Sequence, residues 1–153
     1  ALSNGLTPFL TTEGGVNSGY MIVQYAAASM VSENKIYAHP ASVDSIPSSA
    51  NQEDIVSMGT TAGRKAGMIV KNTLDCLALE LMTSCQAIDI RRRLNSHGQG
   101  ITPLHQAIYN KVREKVAFFD LDREIWPDIQ AVKELIYSGE LLELVKEYIP
   151  DFQ

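Results

Sequence analysis

Apolar residues recur along most of this chain at helical spacing, and no strand-like alternation of four or more residues stands out. After Gly14-Gly15, Asn17 is placed to cap a helix over residues 18–38. That segment is rich in Ala, Met, Val and Ile, with Met21, Tyr25, Ala28 and Ser32 on one stripe, so it is apolar nearly all round. His39-Pro40 stops it, because proline disfavours helical geometry in the residue before it. Residues 41–54 carry small polar side chains, a second proline and no periodicity, which predicts a long loop; loops of that length are more often functional than connecting.

The helical pattern returns near Asn51 and runs to Arg93, with Val70, Leu74, Leu77, Leu81 and Ile88 close to a heptad seam. Gly59, Gly63 and Gly67 fall on one face. Glycine costs about 1 kcal/mol in a helix interior, so three in register imply either a second backbone packed against that stripe or a break near Gly67. Unbroken from 53 to 93, this helix would be about 60 Å long, against a radius of gyration of about 15 Å for a compact domain of this size. It would belong to a larger body, supplied by further chain or by other subunits.

Arg91-Arg92-Arg93 closes the helix and offsets the negative end of its dipole. A loop at Asn95–Gly100 follows. Thr102-Pro103 with Gln106 then forms a capping box with proline at the first position, opening a helix through roughly Phe118. Further helices are predicted from near Asp122 through Tyr137 and from Ser138-Gly-Glu140 to about Tyr148. The fold class is all-α: a long-helix bundle with shorter peripheral helices, part of a larger, mainly helical body. Core helices and a functional loop occupy about 14–93, and outer acidic helices about 101–149.

Composition narrows the functions open to such a chain. It has 153 residues, a net charge of -5, 45% hydrophobic residues and a pI near 5.1, so no excess of Lys and Arg favours nucleic acid or an anionic membrane surface. The charge runs −3 over residues 1–53, +2 over 54–93 and −4 over 94–153. The longest uncharged run, residues 14–32, is 19 residues long but contains Asn17, Ser18, Gln24, Ser29 and Ser32, which favours a buried helix over a membrane span. Cys76 and Cys85 would lie about 13 Å apart along one helix, too far to pair, which predicts free thiols in a reducing compartment, the cytoplasm. The chain opens Ala-Leu-Ser-Asn, neither a signal peptide nor an ordinary start.

Phosphate-binding, dinucleotide-binding, zinc-protease and serine-hydrolase motifs are absent, and His39, His97 and His105 have no shared ligand spacing, so no metal is expected. One segment concentrates polar chemistry. Ser48-Ser-Ala-Asn-Gln-Glu-Asp54 would place Glu53 in the first turn of the long helix, where free N–H groups favour a carboxylate. Taken alone, these residues fit helix capping better than catalysis.

The stretch His39-Pro-Ala-Ser-Val-Asp-Ser-Ile-Pro-Ser-Ser-Ala-Asn-Gln-Glu-Asp-Ile-Val-Ser-Met-Gly59 closely resembles the aromatic amino-acid ammonia-lyase family. So do Gly15-Val-Asn-Ser-Gly-Tyr-Met-Ile22 and Val31-Ser-Glu-Asn-Lys35, in the expected order. The Asn-Gln-Glu-Asp form favours the family's histidine branch, since phenylalanine and tyrosine lyases typically carry glutamine in place of Glu53. From this resemblance follow several expectations. Glu53 matches the active-site glutamate, Met21 a residue lining the pocket near the imidazole ring, and Gln52 is a weaker candidate for a polar substrate contact. His39, Asp44, Ser45 and Asn17 are expected to shape the loops.

The resemblance further implies elimination of ammonia from L-histidine to give urocanate, in a homo-oligomer, a tetramer. The electrophile is a methylidene-imidazolone formed from an internal Ala-Ser-Gly, which this chain lacks. On that reading the chain is a C-terminal portion, inactive by itself. Two alternatives stay open: a phenylalanine or tyrosine ammonia-lyase or aminomutase portion, or a non-catalytic helical assembly module.

Overall fold

In a computed structural model of the chain, described over residues 5–94 and 100–152, five α-helices follow one another. They are α1 (Met21–Tyr37), α2 (Gly59–Leu94), α3 (Pro103–Arg113), α4 (Trp126–Tyr137) and α5 (Glu140–Tyr148), with 3-10 turns at Pro8–Leu10 and Ala41–Val43. Among the described residues the only β pairing is two isolated bridges, Gly14 with Asn17 and Ser48 with Glu53. The expected loop at Asn95–Gly100 lies outside the described residues except for Gly100.

The chain divides into two compact units, one formed by Ala1–Ala27 with Leu74–Gln153 and the other by Ala28–Thr73. The buried apolar side chains all belong to the first. Leu79, Met82, Cys85 and Ile90 of α2, Val112 of α3, Val116 and Phe119 of the following segment, and Ile129, Val132 and Leu135 of α4 close around Tyr20 and Val23. α5 packs on α3 and α4, with Lys111 Nζ 2.8 Å from Glu140 Oε2.

Several polar side chains pair inside this unit, while Thr7 Oγ1, Asn17 Nδ2 and Gln130 Nε2 are buried without a partner among the described residues. Arg113 donates through Nε (2.9 Å) and Nη2 (2.6 Å) to Asp89 Oδ2 and through Nη1 to the carbonyls of Val116 and Ala117, while the Tyr109 hydroxyl bonds Asp89 Oδ1. Lys133 donates to the buried Asp75 at 2.6 Å. Both cysteines are free, and burial pushes both thiols up from their ordinary range, which keeps them protonated and poorly nucleophilic.

The second unit is built differently. Its only buried residue among those described is Asn72, whose amide donates to Glu33 Oε2 (2.7 Å) and Asn34 Oδ1 (3.0 Å). Val31, Ile36, Val43, Ile46, Ile55 and Val70 are all exposed.

Several element boundaries differ from those expected. α2 starts at Gly59, not near residues 51–53, because Glu53 is bridged back to Ser48, the Val56 amide is taken by Ser45 Oγ, and Met58, directly before α2, is left-handed at φ 52°. It then runs unbroken past Gly67, about 54 Å at 1.5 Å per residue. A Cβ at Gly63 or Gly67 would meet nothing within 4 Å, so among the described residues no second backbone packs against these two glycines.

α3 ends at Arg113, not Phe118, since the Arg113 side chain takes the next carbonyls and Phe119 turns inward to Gln86. α4 starts at Trp126-Pro127 instead of Asp122, whose carboxylate is engaged elsewhere. Half of the expected capping box at α3 is formed: Thr102 Oγ1 accepts from His105 N at 3.3 Å, but Gln106 turns to Arg92 and Asn110. The basic run also does more than face a dipole, with Arg92 stacked 4.7 Å from the Tyr109 ring and Arg93 3.6 Å from that of Phe118.

Candidate active site

Glu53 lies on a tight turn of the second unit, not in the first turn of a helix. Its backbone pairs with Ser48 in both directions, Ser48 N to Glu53 O at 2.9 Å and Glu53 N to Ser48 O at 3.3 Å, and Gln52 N closes the turn onto Ser49 O at 3.1 Å. The carboxylate is fixed locally as well, Ser48 Oγ donating to Glu53 Oε2 at 3.1 Å. Three successive non-glycine residues between them are left-handed, a conformation costing about 1–2 kcal/mol per residue. Such strain gathers where a side chain must be aimed.

The turn is anchored from its flank. Ser45 Oγ accepts from Val56 N at 2.7 Å and donates to Asp54 O at 3.4 Å, and the amide of Asp44 bonds Ala41 O. Ser45 thus shapes the loop through its side chain, whereas the Asp44 bond is made by its backbone. The carbonyl of His39 accepts from Lys65 Nζ, securing the loop's start to α2. Gln52 is exposed beside Glu53. A groove of about 570 Å³ on this unit, lined by Tyr37, Thr61, Arg64, Lys65, Gly67 and Met68, includes neither Gln52 nor Glu53.

Met21 belongs to the first unit, where it is the first residue of α1 and half-buried. The segment leading to it is bonded residue by residue. Asn17 does not cap α1 through its side chain; its Oδ1 accepts from Asp122 N at 3.1 Å. Asp122 in turn accepts from Ser18 N (2.7 Å) and Gly19 N (2.9 Å), and Tyr20 N donates to Phe9 O at 2.8 Å. Asp122 does not start a helix as its spacing suggests; a carboxylate bonded across more than a hundred residues leaves no periodic signal. The structure thus sets Gln52 and Glu53 side by side and places Met21 in the other unit.

Residues 1–114 match the family model described as aromatic amino acid lyase. The chain belongs to the aromatic amino acid lyase family. It is 55% identical over 144 residues to a histidine ammonia-lyase of Caldanaerobacter subterraneus subsp. tengcongensis, an alignment that takes in 94% of this chain and 27% of that protein. The crystal structure of histidine ammonia-lyase from Trypanosoma cruzi superposes with a TM-score of 0.86 at 43% identity, over 95% of this chain and 28% of that one. A tyrosine aminomutase from Streptomyces globisporus gives a TM-score of 0.83 at 35% identity, over 97% and 27%. The chain spans about a quarter of the length of the curated relatives it matches. The alignment takes in 94% of this chain, so the likeness continues beyond residue 114, where the family match ends.

Among the described residues no helix is long and apolar enough to cross a membrane, and no group of three or more His, Cys, Asp and Glu side chains could hold a metal ion.

Proposed function

We propose that this chain supplies part of the active site of a lyase that eliminates ammonia from L-histidine. The Cα–N bond breaks, a proton leaves Cβ, and the products are ammonia and urocanate. The observation that carries the reading is the turn at residues 48–53, whose strained backbone and Ser48 hydroxyl present the Glu53 carboxylate, in a chain about half identical to histidine ammonia-lyases. Glu53 is the charged group acting on the bound substrate, Met21 packs against its ring, and Gln52 offers a polar contact.

The family's electrophile, a methylidene-imidazolone, needs Ala-Ser-Gly. Both Ala-Ser pairs of this chain continue otherwise, Ala28-Ser29 into Met30 and Ala41-Ser42 into Val43. These residues do not form that group. The reading carries with it a homotetramer and a cytoplasmic setting, supported by the apolar side chains exposed on the second unit and by two unpaired thiols.

A second reading, a tyrosine aminomutase-type enzyme, is favoured by the structural match to such an enzyme. Turnover of L-histidine, L-tyrosine and L-phenylalanine by a lyase carrying this segment separates the two. Urocanate from histidine alone is the expected result, and a β-amino acid from tyrosine would overturn it. In the same enzyme Glu53→Gln should lower kcat by on the order of a hundredfold, the range of a lost acid-base group. Near-normal kcat would return Glu53 to a purely structural role.

A further inference from the structure

The start of α1 is fastened by a residue far away in the sequence. Asp122 sits in the segment between α3 and α4, beyond the residues that match the family model. Its carboxylate spans two successive amides, Oδ2 to Ser18 N at 2.7 Å and Oδ1 to Gly19 N at 2.9 Å, and its own amide answers to Asn17 Oδ1 at 3.1 Å. The two amides hold the carboxyl below its ordinary range, so it is charged at neutral pH.

Stability alone accounts poorly for this arrangement. Asp122 is exposed and, among the described residues, makes no ion pair, and water could solvate the Ser18 amide in its place. What the clamp fixes is geometry. Gly19 is buried and left-handed at φ +56°, and a Cβ there would stand 2.6 Å from Phe9 O. Tyr20 is held by its amide bond to Phe9 O and by the edge of its ring against Phe119, centroids 5.5 Å apart. Each residue from 17 to 20 thus has a bonded backbone or side chain, and the next residue is Met21.

We infer that Asp122 is a positioning residue for the substrate pocket: by bonding the amides of Ser18 and Gly19 it sets the start of α1 and aims the Met21 side chain at the substrate's ring. The inference rests on the reading of Met21 as a substrate contact. Asp122 touches no substrate and acts through Met21 alone.

The test is steady-state kinetics on L-histidine in a full-length lyase carrying this chain. Asp122→Ala should raise KM about tenfold with kcat within about threefold, because placement of the ring is lost and the reacting groups are untouched. Asp122→Asn keeps a carbonyl oxygen for the Gly19 amide and should raise KM only about two- to threefold. If Asp122 acts through Met21, either substitution made in a Met21→Ala background should raise KM less than about twofold further.

Additive effects on KM would overturn the inference. So would an unchanged KM in the Asp122 variants while Met21→Ala raises it, which leaves the reading of Met21 standing. An unchanged KM in Met21→Ala removes that reading and the inference together. Should Asp122→Ala not fold, Asp122→Asn carries the same comparison, and an unchanged KM there overturns the proposal.

Discussion

Gln86 and Phe119 are bonded to each other twice: Gln86 Nε2 donates to the Phe119 carbonyl at 2.8 Å, and the Phe119 amide donates back to Gln86 Oε1 at 3.1 Å. The same Nε2 reaches Leu10 O at 3.0 Å, so one fully buried side chain on α2 substitutes for a strand between two loop segments.

Replacing Gln86 by leucine keeps bulk but leaves the Phe119 amide and two carbonyls without partners. An unsatisfied buried group costs about 1–3 kcal/mol, so a loss of about 3 kcal/mol is expected. Denaturant unfolding of a lyase carrying Gln86→Leu checks this; a change under about 1 kcal/mol would mean that water replaces the amide.

Gly19→Ala should be worse than an ordinary surface change. The added Cβ meets a backbone oxygen at 2.6 Å, and alanine disfavours the left-handed conformation, so a cost of at least about 2 kcal/mol is expected, read as a lower melting midpoint.

At the candidate site the left-handed Asn51 separates conformation from chemistry. Asn51→Gly preserves the turn and should leave turnover within about twofold. Asn51→Val forbids φ near 66° and should lower kcat/KM roughly tenfold through misplacement of Glu53, with the melting midpoint nearly unchanged because the turn is exposed. Equal kcat/KM for the two variants would show that the turn's shape is irrelevant to catalysis.

Alkaline pH supplies a further test. Burial pushes the Tyr20 hydroxyl up to about 12 from 10, so between these values the unfolded chain releases a proton that the folded chain keeps. Stability is then full below pH 10 and falls as pH rises toward 12, by roughly 2–3 kcal/mol in all. Tyr20→Phe should remove that share of the alkaline slope while other titrations remain; identical slopes in the two proteins would contradict the burial effect.

The helical class, the order of the elements and the free cysteines are legible in the chain's own residues, because apolar spacing and residue spacing along a helix are local properties. The sequence placed the end of α1 to within a residue, since proline acts on its immediate neighbour. It misplaced the start of α2, where the left-handed Met58 and the Ser45 hydroxyl hold the chain away from helix. Long-range contacts set where α3 stops, what Gln86 bonds and that Asp122 grips the start of α1. Each of those bonds joins segments distant in sequence, where periodicity carries no information about a partner and burial alone sets what an unpaired amide costs.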